Sequence, residues 1–294
     1  MVQELNENAS PYWVVGLGRV GSLIARLAVK NHALAGITVK DASDVARAQE
    51  IGQGAAATSG LPESISAETT ILLCVPDKLL APVAMQWHTL GARAFVHFSG
   101  AFGTVELRER LGDGVSVAGL HPLLSFSSSE MEVSEARGVT FGLSGQGAAR
   151  ARALEIADWL GGRVVDVDEE SRAAWHLAAT IASNGVYALL SLATQVAASA
   201  GITGFDVERG LASLAAQSAQ SASVHGAVEG ATGPVVRGDA QTIERHLRVL
   251  QQMPDIRALY VEMSRALIDI AEMRGTNDHA LIAIRTLLES SSKP

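Results

Sequence analysis

The chain has 294 residues, 48% of them hydrophobic, a formal net charge of −8 and a single cysteine, Cys74. That length suits one large or two medium domains with ample apolar content for a core. The acidic balance and the lack of a Lys/Arg run argue against nucleic-acid and membrane-surface partners. One cysteine excludes an internal disulfide and a Cys-based zinc site, so no metal is expected.

The start, MVQELNENASP, is polar and acidic, and reads as a frayed tail over residues 1–10 rather than a signal peptide. A cytoplasmic protein is the expectation. From Tyr12 the chain runs YWVVGLGRVGSLIARLAVKNHAL, a short apolar strand entering G-x-G-x-x-G and then a helical pattern. Gly16 permits the tight turn, Gly18 lets backbone N–H groups approach a pyrophosphate, and Gly21 lets helix and strand pack closely. Leu17, Arg19 and Val20 complete the turn, and phosphates would sit at the positive end of the helix. About twenty residues past Gly21 a second strand, GITVKD, ends in Asp41, placed as a ribose-binding carboxylate would be. Asp41 favours NAD, whereas Lys40, Ser43 and Arg47 lie close enough to serve the extra phosphate of NADP. The cofactor is therefore NADP or NAD.

Strands and helices go on alternating. TILLCVP (70–76) is a near-continuous apolar run of the kind that parallel strands covered on both faces show. A helix follows over 79–90, then strands at 94–98, 115–120, 140–143 and 164–167, with a helix over 149–160. This alternation predicts an α/β fold, a doubly wound Rossmann sheet over residues 11–168, whose ligands bind at the carboxyl ends of the strands. Gly16, Val75-Pro76, Ser99 and His121 all fall at such ends.

After Asp168 no strand pattern recurs, so an all-α C-terminal domain is expected over 169–294. From Ala173 to Phe205 there is no Asp, Glu, Lys or Arg. Eight polar residues in that stretch, from His176 through Thr180 and Asn184 to Gln195, fall within an arc of about 120° on a helical wheel. A lipid-spanning helix would not carry them. An interior helix whose polar stripe lines a cleft is the expectation. Further helices are expected over 206–225, 255–274 and 277–290.

The G-x-G-x-x-G domain, V-P-D after a later strand and an all-α second half resemble the 6-phosphogluconate dehydrogenase-like (β-hydroxyacid dehydrogenase) superfamily. The segments HFSGA (97–101), GLHPLLSF (119–126), WHLAATIASN (175–184) and TGPVVRGD (232–239), with His246 following, resemble more closely its Rossmann-like/DUF2520 group, also called NADP oxidoreductases of the coenzyme F420-dependent type. The resemblance implies a nicotinamide cofactor, a helical domain that dimerises, and no particular substrate; F420 rests on the group name alone.

Prephenate dehydrogenases carry a similar H-P element, which implies a role for His121 on the substrate hydroxyl. A hydride transfer also moves one proton, and histidine suits that role. Ser99 could bond the nicotinamide or the reacting oxygen, with His176 and Asn184 as further catalytic candidates and Thr180 beside the substrate. Hydroxyisobutyrate and ketopantoate reductases have a K-x-x-x-N pair; aligned on Asn184, the lysine position here is Thr180, so His176 or Arg237 would have to supply a cation. Arg237 could clamp a substrate carboxylate, with Asp239 orienting it or capping the next helix and His246 lying two turns on. The expected function is an NAD(P)-dependent oxidoreductase acting on a small, anionic hydroxy, keto or imino compound, of prephenate dehydrogenase-like or pyrroline-5-carboxylate or ketopantoate reductase-like type. A non-catalytic dinucleotide sensor or scaffold is the alternative, and a homodimer through the helical domain is the expected assembly.

Overall fold

A computed structural model describes residues 12–290; the tail expected over 1–10 lies outside the described residues. Eight strands form one sheet in the order β3-β2-β1-β4-β5-β6-β7-β8. They are β1 (Tyr12–Val15), β2 (Leu34–Val39), β3 (Ala56–Ser59), β4 (Thr70–Leu73), β5 (Ala94–His97), β6 (Ser116–Pro122), β7 (Thr140–Gly145) and β8 (Arg163–Asp166). The first six run parallel in the doubly wound order, and β7 turns antiparallel to β6 with β8 parallel to it. The fold is α/β, as the alternation predicts.

The helices among these strands are α1 (Arg19–Lys30), α2 (Val45–Gly52), α3 (Asp77–Thr89), α4 (Thr104–Leu111) and α5 (Gly147–Trp159). Successive strand residues feed opposite faces. Val14, Leu72 and Val96 join Leu23, Leu27 and Ile156 from α1 and α5 in one core. Trp13, Ile71 and Phe95 join Leu80, Trp87 and Leu107 from α3 and α4 in the other. Burial on both faces is why these strands read as unbroken apolar runs. Strand β3, AATS, and the short helices α2 and α4 lack such a run, and the sequence reading passes over them.

The remaining helices are α6 (Arg172–Ser199), α7 (Phe205–Gly230), α8 (Ala240–Val249), α9 (Pro254–Met273) and α10 (Asp278–Ser290). The chain forms two compact units, 1–181 and 182–294, dividing inside α6 rather than at the expected 168/169, where the last strand ends. In the second unit Val235, Ile243, Leu247, Val261, Ile268, Ile284 and Leu288 form a small core. Helix α7 runs past the expected end at 225, across a kink at Gly226. Helix α6 corrects another expectation: it is not an interior helix of the single chain. Among the described residues Leu177 is 59% exposed, Ile181 64% and Tyr187 70%.

Candidate functional site

The carboxyl ends of β1, β4, β5 and β6 are aligned by register: Val15 pairs with Leu73, Leu73 with His97 and His97 with Gly119. The glycine turn and the residues after β5 and β6 therefore share one edge of the sheet. Gly16 adopts φ +94°, and a Cβ there would meet the Cys74 carbonyl at 2.6 Å. A Cβ on Gly21 would overlap the Gly16 carbonyl oxygen, whereas Gly18 has nothing within 4 Å of where its Cβ would stand. Two glycines thus serve packing, and the third leaves open space over the turn. Helix α1 begins there with no side-chain cap and no acid in its first turn, so its leading N–H groups and positive end suit a phosphate.

Around this turn the side chains divide by use. Arg47 donates to Leu17 O at 3.1 Å and to Ser22 Oγ at 3.0 Å and pairs with Glu130, so it braces the turn. Arg19 donates to Phe126 O at 3.0 Å. Lys40, Asp41 and Ser43 are exposed at the end of β2, and the Asp41 carboxylate makes no capping bond to the helical turn it precedes. Val20 and Val75 are half-buried and Pro76 is exposed.

A second group assembles over β5, β6 and β7. Gly119, His121, Gly142 and Ser144 lie on one face of the β6–β7 pair, where Gly119 faces Ser144 and His121 faces Gly142. The first turns of α6 cover that face. Arg172, 3% exposed, donates to the Ser99 carbonyl at 2.7 Å and to Ser144 Oγ. Trp175 lays its indole over Gly142, where a Cβ would come within 2.6 Å of the ring, and donates Nε1–H to His121 Nδ1 at 2.9 Å. His176 stands edge-on to His121 with ring centroids 5.7 Å apart, and its buried Nδ1 has no hydrogen-bond partner. Gly100, between β5 and α4, is buried beneath the pair.

The electrostatics keep His121 and His97 uncharged. Burial holds His121 down to about 4, helped by His176 and Arg172 and opposed by Asp77. Burial, then Arg172, then His121 hold His97 down to about 3. Both histidines are neutral near pH 7, against the expectation that His121 titrates close to its ordinary 6.5. Ser99 accepts from the backbone N–H groups of Ala101 and Phe102, so its oxygen closes the turn that carries Gly100. Burial pushes the Cys74 thiol up, leaving it a packing group.

Residues 139–267 match the family described as a domain of unknown function, DUF2520. The matched stretch contributes Gly142, Ser144, Arg172, Trp175 and His176 to the group, and the chain before it contributes His97, Ser99, Gly100 and His121. No curated protein matches the chain. A protein of Thermotoga maritima, TM1727, is 24% identical with a TM-score of 0.72, over 90% of this chain and 99% of that one. A candidate NADP oxidoreductase of Bacteroides fragilis is 21% identical with a TM-score of 0.66, over 88% and 98%. A pyrroline-5-carboxylate reductase of Coxiella burnetii is 15% identical with a TM-score of 0.57, over 98% and 100%. These likenesses show a shared fold.

The other candidate residues within the matched stretch have local partners. Thr180 Oγ1 donates to the His176 carbonyl at 2.9 Å, and Asn184, exposed, accepts from Ser183. Asp239 caps α8, accepting from Thr242 N at 3.0 Å and Thr242 Oγ1 at 2.6 Å; those bonds, then Arg237 and Arg245, hold its carboxyl below the usual range. In the TGPVVRGD loop Val235 and Val236 are buried and Arg237 is exposed. His246 Nδ1 is 2.8 Å from the Tyr260 hydroxyl. Sequence reading assigned no role to Arg172 or Trp175. The signal was present in the adjacency of Trp175 to His176. Among the described residues no group of three metal-ligating side chains occurs.

Proposed function

We propose that the chain is a nicotinamide-dependent oxidoreductase acting on a small hydroxy, keto or imino compound, with His121 and His176 at the reacting oxygen or nitrogen. The observation that carries this reading is the shared sheet edge: an open glycine turn at β1 on strands aligned by register with β6, where His121 meets His176 of α6. The likeness to an NADP oxidoreductase of Bacteroides fragilis and a pyrroline-5-carboxylate reductase of Coxiella burnetii supports it. Leu17, Gly18, Arg19 and Val20 would hold the pyrophosphate on backbone N–H groups, and Asp41 the adenosine ribose. The bound nicotinamide supplies or accepts the hydride. This chain's residues orient the reacting atom, exclude water through Trp175 and the buried histidines, and handle the proton.

Asp41 supports NAD(H) over NADP(H), since its carboxylate is free to accept from ribose hydroxyls and Arg47 is committed to the turn. Arg237 is offered as the substrate's carboxylate clamp, and the exposed apolar face of α6 as the surface a second copy of the chain covers.

The test is a fluorescence titration with NADH and NADPH, paired with thermal melts. Gly18→Asp puts a carboxylate into the open space over the turn, so it abolishes dinucleotide binding while leaving the melt within a few degrees. Asp41→Ala weakens NADH about tenfold and NADPH less. Binding that survives Gly18→Asp removes the cofactor site, and a wild-type preference for NADPH reverses the assignment to Asp41. A screen of hydroxy, keto and imino acids with the bound cofactor then identifies turnover.

A further inference from the structure

A tryptophan indole N–H only donates, and a neutral imidazole has one N–H donor and one bare acceptor nitrogen. The bond from Trp175 Nε1 to His121 Nδ1 therefore leaves the His121 proton on Nε2. Two local features hold that bond. Gly142, opposite His121 across the β6–β7 pair, leaves room for the indole, and the Arg172 contacts to Ser99 and Ser144 pin the start of α6 to the sheet.

Gly100 shows where the free nitrogens converge. A Cβ there would stand 2.8 Å from His121 Nε2 and 2.5 Å from His176 Nδ1. The two nitrogens are thus close enough for a single oxygen to hydrogen-bond to each at about 2.8 Å, on the side away from the Gly100 α-carbon. His176 Nδ1 is buried and has no hydrogen-bond partner among the described residues.

We propose that Trp175 is a positioning residue that locks His121 as a fixed Nε2–H donor, and that His176 Nδ1 is the proton carrier, both acting on one substrate oxygen. When a hydroxyl is bound, its O–H bond breaks, the proton passes to His176 Nδ1 to give the imidazolium, and the electron pair stays on the oxygen, where His121 Nε2–H holds it. In the reverse direction the His176 imidazolium returns the proton to that oxygen. His121 takes up no proton in either direction, because accepting one at Nε2 would require its existing proton to move to Nδ1, against the Trp175 N–H. The lock on His121 stands on its own contacts, while the proton step rests on the oxidoreductase reading above.

The experiment is a long-range proton–nitrogen correlation spectrum of the full-length protein labelled with [15N]histidine, the His121 signals identified by their loss in His121→Gln. The expected pattern is a protonated Nε2 and a bare Nδ1. Trp175→Phe keeps a ring over Gly142 without a donor, and shifts His121 toward a mixture of the two tautomers. A wild-type His121 with its proton on Nδ1 overturns the lock, and so does a Trp175→Phe pattern identical to wild type. The wild-type spectrum decides the tautomer even if that variant fails to fold. With any substrate from the screen, His121→Gln, which still offers an amide N–H, keeps kcat within about 10- to 100-fold, whereas His176→Gln loses about 10²- to 10⁴-fold. The opposite order overturns the proton assignment. No turnover with any substrate overturns the oxidoreductase reading and the proton step, leaving the tautomer lock to the spectrum.

Discussion

His97 ends β5 with no exposed surface, and neither ring nitrogen has a partner among the described residues. Its folded value of about 3 lies below the ordinary 6.5, so the unfolded chain takes up the proton first as pH falls. The stability this neutral ring contributes is complete above about pH 6.5 and is lost toward pH 3, at up to about 1.4 kcal/mol per pH unit. Urea unfolding at pH 7.5, 6 and 5 should show that loss, and His97→Gln should flatten the slope by close to one proton; equal slopes would contradict it. At this scale the sequence announced the three glycines, His121 and His176. It could not announce Trp175 as a hydrogen-bond donor, because an indole beside apolar residues reads as packing until Gly142 is found beneath it.

Helix α4 starts at Gly103, which has no side chain to cap it. The cap comes instead from across the fold: Glu169 accepts from Thr104 N at 2.7 Å, from Val105 N at 3.3 Å and from the Thr104 hydroxyl. A carboxylate there satisfies orphan donors and meets the positive end of the helix. Glu169→Ala should cost about 1–2 kcal/mol and speed amide exchange at Thr104 and Val105 ahead of the rest of the sheet; uniform exchange would show that the helix does not depend on this cap. Strands buried on both faces were readable as elements because burial leaves an apolar run. Helix α4, TVELRERL, was not, since its cap lies 65 residues away. Asp239 is the contrasting case, a helix cap three residues from its donor, readable from local spacing.

For the whole molecule, α6 is the telling element. Its 28 residues have the length and hydropathy of a membrane span, and none of that apolar window is buried in the single chain. In α7, Phe205 is 74% exposed and Leu214 61%. Apolar surface of this extent is rarely left open on a monomer, and the polar arc from His176 to Gln195 does not suit lipid. Light scattering after size exclusion should give twice the 30.7 kDa chain mass, and Leu189→Asp with Tyr187→Asp should halve it. A monomeric wild type would sink the proposed dimer, and partition into detergent or vesicles would move α6 into a membrane.

Patterns of short range sufficed for much of this protein: glycine spacing after an apolar run, alternation of strand and helix, and the charge-free stretch beyond Ala173. Each arises because neighbours in the chain are neighbours in a turn, a strand or one helix face. The candidate site depends on long-range placement. Sheet register sets Gly16, Ser99 and His121 along one edge, and the antiparallel turn of β7 puts Gly142 opposite His121. Arg172 then brings Trp175 and His176 over them. A hydrogen bond between residues 54 positions apart has no periodicity to betray it, and only packing settles which nitrogen of His121 carries the proton.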